Sequence, residues 1–76
     1  MARAYLKIDV VPGSEKSVKD ALNKVSGIKA ADLTSGEQDI ICLIEAKTYE
    51  DILKLVVEDL RGIPGIKKTI TNLVLE

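Results

Sequence analysis

Residues 25–29 read VSGIK, and residues 63–67 read IPGIK, 38 positions further along the chain. This offset is half of the 76 residues, and it also matches apolar residues upstream of both stretches. Six positions agree in register: Val18 with Val56, Leu22 with Leu60, Val25 with Ile63, Gly27 with Gly65, Ile28 with Ile66 and Lys29 with Lys67. Agreement at a fixed period indicates two copies of one structural unit.

The residues before the first stretch show what this unit is. Residues 4–10 alternate apolar and polar side chains, as a half-buried strand does, and Pro12-Gly13 ends that strand. Ser14 is a favourable N-cap, and residues 18–25 carry apolar side chains at helical spacing. The glycine of VSGIK suits the left-handed position after a helix. Each copy is therefore predicted to be a strand, a helix and a second strand.

The second copy completes the fold prediction. Strands are predicted at residues 28–33, 39–45 and 66–75, and Thr48 is expected to cap a second helix. Two β-α-β units with right-handed crossovers give the ferredoxin-like α+β fold, βαββαβ. We expect a single domain over residues 1–76, with a four-stranded antiparallel sheet in the order 4-1-3-2. Both helices lie on one face of that sheet.

The other sheet face has no helix to cover it. Regular alternation points Ile66, Ile70 and Val74 toward the helices and leaves Thr69, Thr71 and Leu73 on the open side; a register error of one residue in this strand is the alternative. The predicted interface residues on the open side are Tyr5, Ile41, Leu43, Leu73 and Leu75, with Leu33 as a further member. An exposed apolar patch of this kind usually marks an interface. A chain this short also buries only about 60% of the surface that its unfolded form exposes, so a dimer would supply additional core. We therefore expect dimers packed sheet to sheet.

Composition excludes several classes of function. The 11 basic and 12 acidic residues give a net charge of −1, which argues against direct nucleic-acid binding. There is no histidine for general-base work or zinc binding, so an enzyme, a metal site or a cofactor is not expected. No apolar run is long enough to span a membrane. Cys42, the single cysteine, is interpreted as a small buried side chain in a cytoplasmic protein.

The turn between the second and third strands, TSGEQDII at residues 34–41, carries a Gly-x-x-Asp pattern. Its local interpretation is turn chemistry, in which Gly36 allows a positive φ and Asp39 bonds nearby backbone.

The motifs together resemble a known family. The stretches AYLKIDVVPGSEKSVKDAL, VSGIKAADLTSGEQDIICLIEA and IPGIKKTITNLVLE resemble the effector domain of the leucine-responsive regulatory protein/AsnC (Lrp/AsnC) transcription regulators. This domain is also called the "regulation of amino acid metabolism" (RAM) domain. Its most specific pieces here are Gly-x-x-Asp and a Pro-Gly-Ile followed by Thr-x-Thr. Gln38 stands where members usually have an aromatic residue.

The resemblance implies ligand binding and assembly. Effector domains of this family form dimers, commonly joined into octamers, and bind amino acids between dimers near the Gly-x-x-Asp loop. Asp39 would accept a bond from the ammonium group, and backbone N–H groups around Ser35 and Gly36 would receive the carboxylate. The hydroxyls of Thr69 and Thr71 would complete the polar shell. The chain begins at its first strand, so a stand-alone module without the family's helix-turn-helix is expected, with full-length regulators as possible partners.

Three rival interpretations stay open. An ACT-type amino-acid-binding module shares the strand order, but its ligand loop follows the first strand. A ligand-free adaptor would assemble with full-length regulators and alter their DNA-bound oligomers. An enzyme of the dimeric α/β-barrel type is disfavoured by the missing histidine and cofactor residues.

Overall fold

The computed structural model describes residues 1–75 and has the predicted element order. The antiparallel sheet has the strand order β2-β3-β1-β4, which is the predicted order read from the other edge. The helix α2 continues directly into one π-helical segment, in which the N–H of Arg61 donates to the carbonyl of Val56 at 3.1 Å. The elements are β1 (Ala2–Val10), α1 (Glu15–Leu22), β2 (Ile28–Leu33), β3 (Ile40–Ala46), α2 (Tyr49–Leu55), the π segment (Val56–Leu60) and β4 (Ile66–Leu73).

The core lies between the sheet and the two helices. Every fully buried side chain within residues 1–75 is apolar, and burial of each large one contributes about 1.5–3 kcal/mol. Side chains of β1 alternate between buried and at least partly exposed, as predicted. The largest buried side chains are Leu6, Ile8, Leu22, Ile40, Ile44, Ile52 and Leu60.

The two repeated glycines connect the two copies through their carbonyls. Gly27 and Gly65 both have φ of +100°, which a residue with a side chain adopts only with strain. The carbonyl of Gly27 accepts a hydrogen bond from the N–H of Glu45 at 2.9 Å, and that of Gly65 accepts one from Val11 at 2.7 Å. Each glycine carbonyl is therefore hydrogen-bonded to a strand or strand end of the other copy.

The same glycines lie against the helix of the other copy. A Cβ atom added to Gly27 would lie 3.1 Å from Cδ1 of Leu55 in α2. A Cβ atom added to Gly65 would lie 2.9 Å from Cβ of Ser14 and 3.0 Å from Cγ2 of Val18 in α1. The repeat thus marks the two places where the halves interlock.

Each of the two glycine stretches ends in a β-bulge. The pairing of β2 with β3 skips Lys29, and the pairing of β4 with β1 skips Lys67. These two lysines are equivalent in the 38-residue repeat. Because side chains alternate with a period of two residues, one extra residue moves every later side chain to the other face.

The bulge at Lys67 corrects the predicted faces of β4. Thr69, Thr71 and Leu73 stand opposite Ile8, Leu6 and Ala4, which are buried against the helices. The prediction that these three face the open side is wrong, and Leu73 packs against the core. Ile70, predicted to point inward, stands opposite Lys7 on the open side.

The bulge at Lys29 has the same effect in β2. Leu33 stands opposite the buried Ile40, so it does not belong to the open side. Leu75 lies beyond the end of β4 and is 84% exposed, so the strand register assigns it to neither face. Its predicted role in an interface stays a prediction.

The faces of β1 and β3 are as predicted. Tyr5 stands opposite Leu43, and Ile41 stands opposite Lys7, on the side away from the helices. Together with Ile70, three of these residues form an apolar cluster, which we call the open-face patch: Tyr5, Ile41, Leu43 and Ile70. Tyr5 is 45% and Ile70 is 38% exposed, so the patch is accessible in the single chain.

Candidate functional site

The Gly-x-x-Asp turn is a loop closed by its own hydrogen bonds. The N–H of Thr34 donates to the carbonyl of Asp39 at 2.9 Å, and the hydroxyl of Thr34 donates to the carbonyl of Gln38 at 2.7 Å. Gly36 has φ of +118° at the tip, where a left-handed residue is required. Ser35 and Gly36 are both exposed, so their backbone can be reached by a ligand.

Asp39 fastens this loop to the end of β1. Its Oδ2 accepts a hydrogen bond from the N–H of Val10 at 3.0 Å, and its own N–H donates to the carbonyl of Ile8 at 3.0 Å. The local interpretation of Asp39 as a residue that bonds backbone is therefore supported, although the partner is 29 residues away. An ionised carboxylate has about four acceptor sites, so one such bond leaves capacity for a second donor.

The predicted ligand residues are only partly brought together. Asp39 lies on the β3 side of β1, beside Ile8 and Val10, and Thr69 lies opposite Ile8 on the β4 side. Thr71 lies two residues further along β4, which is about 7 Å away at the rise of a strand. Asp39 and Thr69 thus share one end of the sheet, with β1 between them.

Two features of the structure were not predicted from sequence. Ile70 joins the open-face patch because of the bulge at Lys67, and a cavity opens beside Thr69 at the start of β4. The alternation of the sequence gave no sign of the bulge. The repeated lysine after each Gly-Ile was the signal available, since the register shift follows at both places.

Cys42 is buried, and the residues described offer no site for a metal ion. Desolvation by burial, with a smaller contribution from the charge of Asp32, raises the pKa of its thiol from 9.0 to about 12. Such a thiol stays protonated and is a poor nucleophile at neutral pH. Within residues 1–75, no three His, Cys, Asp or Glu side chains are grouped to bind a metal. None of the helices in that range is long and apolar enough to cross a membrane.

Comparison with solved structures supports the fold. FFRP-DM1 is 28% identical, with a TM-score of 0.93 over 99% of this chain and 100% of that one. A Neisseria meningitidis transcriptional regulator, solved as a complex with L-Met, is 13% identical with a TM-score of 0.87. The match covers 99% of this chain and 50% of the regulator. Because the identity is so low, this likeness shows the fold alone.

Curated relatives include regulators and part of an enzyme. A helix-turn-helix transcriptional regulator of Pyrococcus furiosus is 33% identical over 71 residues, which are 90% of this chain and 47% of the regulator. The homocitrate synthase of Sulfurisphaera tokodaii is 33% identical over 60 residues, which are 79% of this chain and 13% of the enzyme. The chain thus spans about half the length of its regulator relatives.

The family match extends over almost the whole chain. The model of the Lrp/AsnC ligand binding domain matches residues 3–76, including both glycine stretches, the Gly-x-x-Asp loop and β4. The chain therefore belongs to the Lrp/AsnC ligand-binding-domain family.

Proposed function

We propose that this chain is an amino-acid-binding and oligomerisation module that takes part in transcriptional regulation in the cytoplasm without binding DNA itself. The observation that carries the proposal is the family match over residues 3–76, which includes a Gly-x-x-Asp loop fastened to the end of the sheet. The proposal of an amino-acid ligand is in keeping with the Neisseria meningitidis regulator of similar fold, which was solved as a complex with L-Met. The match to a short part of homocitrate synthase is consistent with a module that accompanies different functional domains.

The proposed ligand site uses the loop and its neighbours. Asp39 keeps acceptor capacity beyond its bond to Val10, and the ligand ammonium would supply the second donor. The exposed backbone around Ser35 and Gly36 would receive the carboxylate. Thr69 and Thr71 lie on β4, across β1 from Asp39, with Thr71 further away. Their hydroxyls would complete the polar shell. A neighbouring dimer would close the site, since the loop is open to solvent in the single chain.

A screen of the twenty amino acids by thermal shift tests ligand binding. A ligand that binds only the native state raises the melting temperature. At a ligand concentration of one hundred times the Kd, it adds about 2.7 kcal/mol to the free energy of unfolding. No shift at millimolar concentrations, together with a stable oligomer, would favour the ligand-free adaptor instead.

Asp39→Asn then tests the role of the carboxylate. The amide oxygen of asparagine can still accept from Val10, so the loop stays fastened while the negative charge is lost. We expect roughly tenfold weaker ligand binding by calorimetry, because a charge-assisted bond is replaced by a neutral one. Asp32→Asn, at an exposed acid in β2, is the control with the same charge change and should leave the affinity unchanged.

Two outcomes would contradict this site. Equal affinity of Asp39→Asn and the wild type would leave Asp39 with a structural role only. Loss of binding in Gly13→Ala but not in Asp39→Asn would favour the ACT-type interpretation. A Cβ atom added to Gly13 meets nothing within 4 Å, so that substitution changes only the strain at φ of +91°.

The dimer interface is tested separately by light scattering. A charge in the open-face patch, Leu43→Lys, should dissociate a sheet-packed dimer because the lysine would be desolvated there. Leu53→Lys is the control, since Leu53 is 48% exposed on α2, away from that face. A wild type that is a strict monomer at micromolar concentration, or equal dissociation of both variants, would overturn the proposed interface. Full-length regulators are proposed as further partners through the same patch.

A further inference from the structure

A cavity of about 320 Å³ opens at the start of β4. Its lining residues are Arg61, Ile66, Lys67, Lys68 and Thr69. Three of the five are cationic and none is acidic, although acidic residues outnumber basic ones in the whole chain. The volume is at the lower end of the range typical of small-molecule sites, about 300–1,000 Å³.

The three cations have no ionic partner among residues 1–75. The salt bridge found in that range joins Lys29 to Glu45 at 4.0 Å, on another strand pair. Glu58 and Asp59 precede Arg61 in the sequence, and Asp9 stands opposite Lys68 in the sheet. None of them lies within ion-pair distance of the three. Because like charges repel, an anion in the cavity would relieve the repulsion.

The fold explains why the cations meet here. Arg61 follows the π segment, and its position is fixed by the bond from its N–H to the carbonyl of Val56. Lys67 is the bulged residue of β4, and a bulge re-aims a side chain that would otherwise alternate with its neighbour. Since β4 is an edge strand paired only with β1, part of its backbone N–H groups also face outward.

We propose that this cavity binds a small multivalent oxyanion, such as a phosphate ester or a polycarboxylate. Lysines on an edge strand can also serve only to prevent edge-to-edge pairing, but that role needs neither Arg61 nor a cavity. The oxyanion site shares only Thr69 with the proposed amino-acid site, and it does not depend on that function. Arginine and lysines around one cavity, with outward N–H groups, are the donors that such an anion requires.

Calorimetric titration of the full chain with inorganic pyrophosphate tests the proposal, at an ionic strength of about 0.15 M to screen weak surface binding. We expect saturable binding. The cavity variant Arg61→Gln/Lys67→Gln/Lys68→Gln should bind roughly tenfold or more weakly, because three ionic contacts are lost. The charge-matched control Lys16→Gln/Lys24→Gln/Lys54→Gln removes three exposed lysines elsewhere and should retain the wild-type Kd.

A parallel titration with citrate distinguishes the two chemical classes of oxyanion, phosphate compounds and polycarboxylates. Tighter binding of pyrophosphate assigns the site to phosphate compounds, and tighter binding of citrate assigns it to polycarboxylates. The variant Lys67→Arg/Lys68→Arg keeps the charges and should keep the affinity. Absence of saturable binding of either anion, or equal weakening in the cavity and control variants, would overturn the proposal.

Discussion

The two β-α-β copies are alike where they touch each other and different at their outer strands. Both copies have a glycine at φ of +100° after the helix and a bulged lysine two residues later. The strands that follow differ, since β2 reads IKAADL and β4 reads IKKTITNL. Only β4 adds a second lysine and two threonines to its edge, and the cationic cavity lies there.

This difference separates residues that hold the two halves together from residues that are free to form a binding surface. The repeated residues interlock the halves, so a change in either copy disturbs packing in both. Each edge strand pairs with one neighbouring strand only, so its outer edge is freer to carry a binding surface. Substitutions at equivalent positions of the two copies test this contrast, and they are best compared at equal protein concentration because oligomers gain stability by mass action.

The largest effect is expected at the equivalent core residues Leu22 and Leu60. Both side chains are fully buried, so Leu22→Ala and Leu60→Ala should each lower the free energy of unfolding by about 2–5 kcal/mol. Urea unfolding measures this loss, and Leu53→Ala at an exposed position should stay within about 0.5 kcal/mol of the wild type. A loss below about 1 kcal/mol in one copy would mean that its helix does not share the common core.

The repeated glycines should separate the copies. Gly65→Ala would place a Cβ atom 2.9 Å from Cβ of Ser14, near the backbone, whereas Gly27→Ala meets Cδ1 of Leu55, the end of a flexible side chain, at 3.1 Å. Both add about 1–2 kcal/mol of left-handed strain, and Gly65→Ala adds about 1–3 kcal/mol of overpacking. Thermal or urea unfolding should therefore find Gly65→Ala the more destabilising.

Two further glycines are controls for that pair. Gly36→Ala has φ of +118° but free space around the new Cβ atom, so it reports the strain alone. Gly62→Ala has free space and no positive φ and should be close to neutral. A Gly65→Ala variant as stable as Gly36→Ala would show that α1 shifts away at little cost, and the interlocking described above would be weaker than the contacts suggest.

Cys42 and Ala4 are equivalent in the repeat, and both are buried. Because burial raises the pKa of the folded thiol to about 12, the unfolded chain loses its proton first as the pH rises above 9.0. Stability should therefore fall between pH 9 and 12, by about 1.4 kcal/mol between pH 8 and 10. Cys42→Ala removes this component, so the difference between the two unfolding curves isolates it. Parallel pH dependences of the two proteins would contradict a buried, protonated thiol.

The smallest effect is expected at the helix N-caps. The hydroxyl of Thr48 accepts from the N–H of Asp51 at 3.1 Å, whereas Ser14 makes no side-chain cap bond. Thr48→Ala should cost about 1 kcal/mol and Ser14→Ala only a few tenths. Chemical denaturation resolves the two values, and an equal cost for both would show that Ser14 caps α1 in solution.

The sequence predicted the element order and sheet order well, but it failed on two strand faces. The faces of β1 and β3 followed from unbroken alternation, as Tyr5 and Leu43 show. For Leu33 and Leu73 the same argument failed, because Lys29 and Lys67 are bulged. Asp39 was predicted to bond nearby backbone, but its bond to Val10 joins residues that are distant in sequence. No local pattern contains that partner.

The sequence by itself determined the fold, because the 38-residue repeat, the caps and the glycines after the helices are encoded within a few residues of where they act. Only the tertiary structure decided which side chains of β2 and β4 face the helices. That outcome depends on how each edge strand aligns with its neighbour, and a single extra residue reverses it. The grouping of Arg61 with two lysines, and the fastening of Asp39 to β1, likewise arise only when distant segments pack together.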